Sequence, residues 1–233
     1  MRIENIMAFE SAKQVFFRDR RDAGRQLARK LHGYAGRTDL LVLGLPRGGV
    51  PVAFEVALSL NAPLDICVVR RLGAPGLESV TLGAVAAGGA WILDESVIRD
   101  LRISDRVLRE VAEQGFRELR ELELSYRGDR SAAVIRGRTV ILVDEGATTG
   151  HTLSQAAAAL RRHDPARIVV AVPTASGIAR AQVSRCVDEW VALHEPDPFI
   201  SIGMAYDDFT RPSIELVRNL LRLAAGNSVK RWS

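Results

Sequence analysis

The sequence predicts an α/β protein: an open, mainly parallel, twisted sheet with helices on both faces. Three observations carry that prediction. The apolar runs Leu40 to Leu45 and Val140 to Val143, and Ile168 to Val172 within the strand Arg167 to Val172, are continuous rather than alternating, as expected of strands buried on both faces. A loop of small or turn-forming residues follows the first two, and a helix-period segment follows each loop. The succession strand, loop, helix, strand then repeats, which is how crossovers join parallel neighbours.

Taken in order, residues 18 to 32 read as an amphipathic helix ending before Gly33. The strand Leu40 to Leu45 leads through the tight loop Pro46-Arg47-Gly48-Gly49 into a helix from about Val50 to Leu60. A second strand, Leu64 to Arg70, enters a glycine- and proline-bearing loop, Arg71 to Ser79. Thr81 to Ala87 and Trp91 to Leu93 form a short hairpin around Gly88-Gly89. Ser104 caps a long helix to about Tyr126, with Leu108, Val111, Gly115, Leu119, Leu122 and Tyr126 along its packed stripe. After the strand at 139 to 143, Thr152 opens a helix running to Arg162. The strand at Arg167 to Val172, the loop Pro173 to Gly177, a short helix and a last core strand, Val187 to Leu193, complete the sheet. The chain is read as a single domain, 1–233, with a core of about 36–193. Residues 194–233 form a loop-rich C-terminal cap with a helix from Ser213 to about Ala224.

Composition narrows the function classes. A chain of 233 residues with 47% hydrophobic content suits one globular α/β domain. No apolar run reaches a membrane-spanning length and the N-terminus lacks a signal-peptide pattern, so the expected compartment is the cytoplasm. Cys67 and Cys186 lie far apart in apolar stretches and read as reduced thiols; the four histidines show no metal-ligand spacing. Of 32 basic residues only Lys13, Lys30 and Lys230 are lysines. Arginine suits bidentate phosphate recognition, although genome composition produces the same bias. Basic and acidic residues are interleaved, which favours phosphorylated small molecules over nucleic acid as partners.

The most informative segment is Thr139-Val-Ile-Leu-Val-Asp-Glu-Gly-Ala-Thr-Thr-Gly-His-Thr152. A buried strand ends in two carboxylates, Asp144 and Glu145. A turn of small residues follows, Gly146-Ala147-Thr148-Thr149-Gly150, and then a helix N-terminus at Thr152. Free amide N–H groups and the positive end of the helix dipole suit a phosphate. The carboxylates are placed to accept hydrogen bonds from vicinal sugar hydroxyls. The other reading of the run is an ordinary crossover with an acidic loop.

This run resembles the phosphoribosyl pyrophosphate (PRPP) motif of type I phosphoribosyltransferases. Asp144, Glu145, Thr149, Gly150 and Thr152 fall on its defining positions. The resemblance is closest to small bacterial phosphoribosyltransferase-like proteins of unassigned acceptor, and extends from Phe17-Arg-Asp-Arg to Asp207-Asp-Phe. It implies the type I phosphoribosyltransferase fold with a small cap, and a phosphate cradle of Gly146, Ala147, Thr148, Thr149, Gly150 and Thr152. Arg47, Gly48 and Gly49 are the implied diphosphate loop, with a non-proline cis peptide at Pro46–Arg47. Arg70 and Arg71, on a mobile loop, are implied to fold over the leaving diphosphate, Arg71 as a catalytic group beside Asp144 and Glu145. Solvated surface arginines are the plain alternative for both.

The implied activity is transfer of ribose 5-phosphate from PRPP to a nitrogenous base or similar small-molecule acceptor, with release of pyrophosphate. Mg²⁺ is the implied cofactor, held mainly by substrate, with Asp144 or Glu145 reached through water and no direct protein ligand. The loop 173–177 is implied to help hold the acceptor. Thr148 stands where 6-oxopurine transferases carry an aspartate, which argues against hypoxanthine or guanine. His151 replaces a glycine or lysine and reads as an exposed helix-start residue. Neither a P-loop nor a dinucleotide fingerprint occurs, and Ser176 is not in a nucleophile elbow. A non-catalytic nucleotide- or PRPP-binding regulator on the same fold is the second reading, and a sugar-phosphate phosphohydrolase a weaker third. The oligomeric state stays open, a homodimer included.

Overall fold

The structure, a computed structural model, describes residues 15–86 and 90–229. In chain order the elements are α1 (Arg20–Lys30), a 3-10 turn (His32–Tyr34), β1 (Leu40–Gly44), α2 (Gly49–Leu60), β2 (Leu64–Ile66), β3 (Val69–Ala74), β4 (Leu77–Ala86) and β5 (Ala90–Leu93). There follow α3 (Glu95–Asp100), α4 (Asp105–Arg127), β6 (Thr139–Val143), α5 (His151–Arg161), β7 (Arg167–Thr174), α6 (Gly177–Val183), β8 (Glu189–His194), a second 3-10 turn (Ile202–Ala205) and α7 (Ile214–Val229).

Five parallel strands form the central sheet in the order β2-β1-β6-β7-β8. Every residue of β1 and β6 is buried, which explains their unbroken apolar character. The side chains still divide between two layers by the two-residue period of a strand. Leu40, Val42, Ile141 and Val143 face a core completed by Leu27 of α1, Val56 of α2 and Leu221 of α7. Leu41, Leu43, Val140 and Leu142 face the opposite core with Leu153 and Leu160 of α5 and Val183 of α6. Gly44 pairs with Ile66 on one side and Val143 on the other, so these three strands end level. After β1 the chain builds outward to β2, and after β6 it builds the other way through β7 to β8. The direction therefore switches between β1 and β6, and a crevice opens there beyond their carboxyl ends.

A second sheet, β3-β4-β5, is antiparallel and stands beside the first. It corrects the expected strand Leu64 to Arg70, which ends at Ile66 and changes sheets, and the expected mobile loop Arg71 to Ser79. Arg71 to Ala74 continue β3, and β4 starts at Leu77 after a turn with Gly76 at φ +75°. The register slips at Leu72/Gly73 and Gly73/Ala74, and this irregularity gives a strand the glycine-rich wording of a loop. The expected hairpin of β4 and β5 is present; its Gly88-Gly89 turn lies outside the described residues. The helix α3, capped by Asp94, was not anticipated.

The cap uses both ends of the chain. Phe17 pairs with Tyr206, and Phe16 N–H and Phe17 N–H both donate to Ala205 O at 3.0 Å. The C-terminal helix runs on to Val229, past the expected Ala224, and packs against α2 and α4.

Candidate functional site

The first turn of chain after β1 and the first after β6 meet at the switch point. Leu45 N–H donates to Val143 O at 2.9 Å, joining the two strand ends. The Pro46–Arg47 peptide is cis, as the resemblance implied. Gly48 and Gly49 are required here by close approach. A Cβ on Gly48 would lie 1.5 Å from Glu145 Oε2, and one on Gly49 would lie 2.7 Å from Val143 O and 3.0 Å from Asp144 Oδ1. Any side chain at these positions would occupy the space of the acidic pair. Asp144 and Glu145, both half-buried, border a cavity of about 330 Å³ with Arg47, Gly48, Cys67, Tyr126, Thr152 and Arg211. Asp144 Oδ1 accepts the Glu145 N–H at 2.8 Å, so its carboxylate turns along the rim of the sheet and not into the apolar layers.

Glu145 is held from three sides. The Arg20 Nε donates to Glu145 Oε2, and Tyr206 Oη donates to the Glu145 carbonyl at 2.6 Å. Gly48 leaves room for the carboxylate on the third side. Arg20 comes from the first turn of α1, where Asp19 caps the helix by accepting the Asp22 N–H.

The loop 146–150 is a continuation of the sheet edge followed by a turn. Ala147 pairs with Ala175, donating to Thr174 O at 3.0 Å and accepting from Ser176 N–H at 2.9 Å. Ala147 is buried and its N–H is engaged, so it braces the loop expected to form the cradle. Gly146 is likewise buried, under Ile202 and Thr174 O. Pro173 and Thr174, expected in the following loop, belong to β7 because that strand supplies these bonds. Ser176 caps α6 and donates from Oγ to Thr148 O, a bond that ties the turn down.

Thr148 and Thr149 are exposed, and Gly150 takes φ +76° as the cap of α5. Ser154 N–H is the first to bond back, to Gly150 O at 2.9 Å. The N–H groups of His151, Thr152 and Leu153 precede that first helical bond and point out of the helix start. Beside this helix start lies a second cavity of about 610 Å³ bordered by Thr149, His151, Thr152, Arg71, Asp94 and Glu95 among others. Thr152 borders both cavities, so the cradle and the acidic pair adjoin.

The arginine pair of β3 divides as neighbouring strand residues must. Arg70 points to α4, where it pairs with Glu118 at 2.6 Å. In this arrangement Arg70 borders neither cavity. Arg71 points the other way and borders the cavity at the start of α5 rather than the one holding Arg47. Its expected position over a leaving diphosphate is therefore not the one it occupies. The arginines that do border the Asp144–Glu145 cavity are Arg20, Arg47 and Arg211.

These geometries have counterparts in known proteins. The family model described as phosphoribosyl transferase domain matches residues 18–208. The chain belongs to the phosphoribosyl transferase domain family. It is similar to the crystal structure of TT1426 from Thermus thermophilus, at 41% identity and a TM-score of 0.77, over 88% of this chain and 97% of that one. It is also 40% identical over 197 residues to two Mycobacterium tuberculosis proteins, MT0597 of strain CDC 1551 / Oshkosh and Rv0571c of strain H37Rv, both named provisionally as phosphoribosyl transferases. That match covers 84% of this chain and 44% of each relative, so the chain spans less than half the length of the curated relatives it matches.

Within this phosphoribosyl transferase domain, Arg20, Tyr206 and Arg211 were missed as site residues. The wording around Phe17 and Asp207 marked their neighbourhoods. Nothing in one sequence separates these arginines from the many others, because burial and pairing depend on how the chain ends fold back.

Burial raises the Asp144 carboxyl from 3.8 to about 8, with the Glu145 charge adding to the shift. The folded value lies above the unfolded one, so the group's contribution to stability is fully present below about pH 4. It is lost as pH rises through about 8. In thermal melts of the free domain, Tm is expected to fall between pH 6 and pH 9 and Asp144→Asn to flatten that fall. An equally steep fall in the variant would place the charge elsewhere.

Gly150→Ala is expected to destabilise the domain by about 3 kcal/mol, since the left-handed conformation disfavours a side chain and overpacking adds strain. Its Cβ would sit 2.8 Å from Val183 Cγ2 and 3.0 Å from Ala179 O. Urea unfolding midpoints measure the loss; a midpoint equal to that of the unaltered protein would show that the turn can relax.

Among the described residues no group of three or more His, Cys, Asp or Glu side chains is disposed to hold a metal directly. The carboxylates of Asp144 and Glu145 are hard oxygen donors on an open cavity wall, which fits Mg²⁺ held through water and a bound diphosphate. No helix among the described residues is long and apolar enough to cross a membrane.

Proposed function

We propose that this domain binds Mg²⁺-PRPP and transfers ribose 5-phosphate to a nitrogenous base or similar acceptor, releasing pyrophosphate. The observation that carries this reading is the meeting, at one switch point, of an anion-binding helix start, a carboxylate pair and an arginine-lined cavity. A sugar with a phosphate at one end and a diphosphate at the other needs these three features side by side. The family match and the provisional names of the mycobacterial relatives support the same class of chemistry.

In this mechanism Thr149, Gly150 and Thr152, with the N–H groups that open α5, hold the 5′-phosphate. Glu145 and Asp144 accept hydrogen bonds from the ribose hydroxyls and face the positive charge that develops at C1. Arg47 and Arg211 receive the diphosphate and stabilise its charge as the C1–O bond breaks. Asp144 or Glu145, through water, would help hold Mg²⁺, which would supply further charge neutralisation to the leaving diphosphate. The acceptor nitrogen forms the new bond to C1, its proton leaves to solvent or base, and pyrophosphate carries away the bonding electrons. Arg71 contributes at the phosphate end.

The pairing of Arg70 with Glu118 favours a second reading, a PRPP-binding regulator, because it withholds a basic group from the leaving diphosphate. Incubation with Mg²⁺, PRPP and a panel of bases, read by pyrophosphate release, separates the two. Release that depends on one acceptor supports the transferase. Saturable PRPP binding without release for any acceptor supports the regulator and contradicts transfer.

A further inference from the structure

Arg20 is nearly the most buried charged group in the described chain, 6% exposed, and it bridges Glu145 and Thr210. Its Nε donates to Glu145 Oε2, its Nη1 donates to Thr210 O at 2.9 Å, and its guanidinium lies 4.0 Å from the Phe209 ring centroid. A stacked guanidinium with both edges bonded has little freedom to rotate. Glu145, by contrast, has several side-chain torsions and projects over Gly48, which has no side chain to confine it. Its backbone is anchored separately by Tyr206. The carboxylate conformation thus depends on Arg20 and Gly48 alone among these contacts.

We infer that Arg20 is a positioning residue, which fixes the Glu145 carboxylate for the ribose hydroxyls and makes donor recognition depend on the docking of residues 205–210 against α1. This inference rests on the reading of the cavity as a PRPP site. Only one Glu145 oxygen is used by Arg20, so Oε1 remains available to a sugar hydroxyl. A lysine in the same place would carry the charge but could not bond Glu145 and Thr210 in the fixed planar geometry of the fork.

Calorimetric titrations of the full chain in Mg²⁺ with two probes, PRPP and inorganic pyrophosphate, test the inference. Pyrophosphate has no ribose, so its binding reads the Glu145 conformation only through the water-held Mg²⁺ that both probes share. For Arg20→Gln, PRPP affinity is expected to fall by about 10-fold or more, the size of a lost charge-assisted hydrogen bond. Pyrophosphate affinity should stay within about 2-fold, a change of roughly 0.4 kcal/mol. Arg20→Lys should recover part of the PRPP loss, again with pyrophosphate unchanged. It also serves as the test variant if Arg20→Gln fails to fold by circular dichroism, in which case a PRPP-selective loss in the lysine variant supports the inference. Equal losses for both probes would overturn it, because Arg20 would then act on the diphosphate or on the fold as a whole. Unchanged PRPP affinity in the folded variants would overturn it too. Failure of the unaltered protein to bind PRPP is a different result, which removes the underlying reading of the site.

Discussion

Asp144→Asn combined with Glu145→Gln is expected to weaken Mg²⁺-PRPP binding by about 100-fold or more while the protein stays folded. Each carboxylate that accepts a hydrogen bond from a ribose hydroxyl contributes about 1.5–3 kcal/mol, so two together exceed the free energy of a hundredfold change. The amides retain the shape and one acceptor oxygen each, but not the Glu145 charge that opposes developing positive charge at C1. The fold should survive them at a cost, since Glu145→Gln leaves the buried Arg20 guanidinium without its counter-charge. Asp144 already disfavours its charged form, and the glutamine of Glu145→Gln can still accept from Arg20 through its amide oxygen. Titration calorimetry gives the affinity and thermal melts give the stability. PRPP affinity equal to that of the unaltered protein would contradict the assigned roles of both residues.

The second large effect is on stability and lies away from the crevice. Arg127→Met is expected to destabilise the domain by about 3–5 kcal/mol, because it leaves a buried carboxylate without its counter-charge. Arg127, at the end of α4, donates from Nε to Asp65 Oδ1 at 2.9 Å, from Nη2 to Ile66 O at 2.9 Å and from Nη1 to Glu123 Oε1 at 2.7 Å. The Asp65 side chain is 5% exposed and that of Arg127 8%. Asp65 also accepts from Ala133 N–H at 2.8 Å, so one ion pair joins β2, α4 and the segment before β6. Adding Asp65→Asn to Arg127→Met should recover part of the loss, since the uncompensated charge goes while an acceptor for Ala133 remains. Urea unfolding would show it. A single variant within about 0.5 kcal/mol of the unaltered protein, the usual range of surface changes, would mean that water reaches the pair.

The central sheet was legible because its physics is local to each strand. A strand covered on both faces must be apolar along its buried middle, as β1, β6 and β7 are at Leu40 to Leu43, Val140 to Val143 and Ile168 to Val172. The motif residues were legible for a related reason. Asp144 and Glu145 fall where a strand ends, and Gly150 falls just before a helix N-terminus, where its φ of +76° suits glycine. The second sheet was not legible. Gly73, Pro75 and Gly76 look like a loop, and only pairing with β4 and packing on α4 reveal a bulged strand. That error carried over to Arg70 and Arg71, whose opposite directions follow from the strand period alone once the strand is known. The bracing role of Ala147 was not legible because its engaged N–H depends on a long-range bridge to Ala175. Arg20 and Arg211 were beyond reach for the same kind of reason. Their place at the cavity is set by contacts between residues nearly two hundred positions apart in the chain, such as Arg20 with Thr210.

The most direct test of the central claim, one donor molecule read at both ends across the β1/β6 switch point, is a competition titration. Mg²⁺-PRPP is titrated into the full chain alone, then in the presence of ribose 5-phosphate, then of inorganic pyrophosphate. The predicted result is saturable binding at one site per chain, with each competitor lowering the apparent PRPP affinity, because one occupies the cradle at α5 and the other the cavity at Arg47. Absence of saturable PRPP binding, or binding that neither competitor disturbs, would contradict the account.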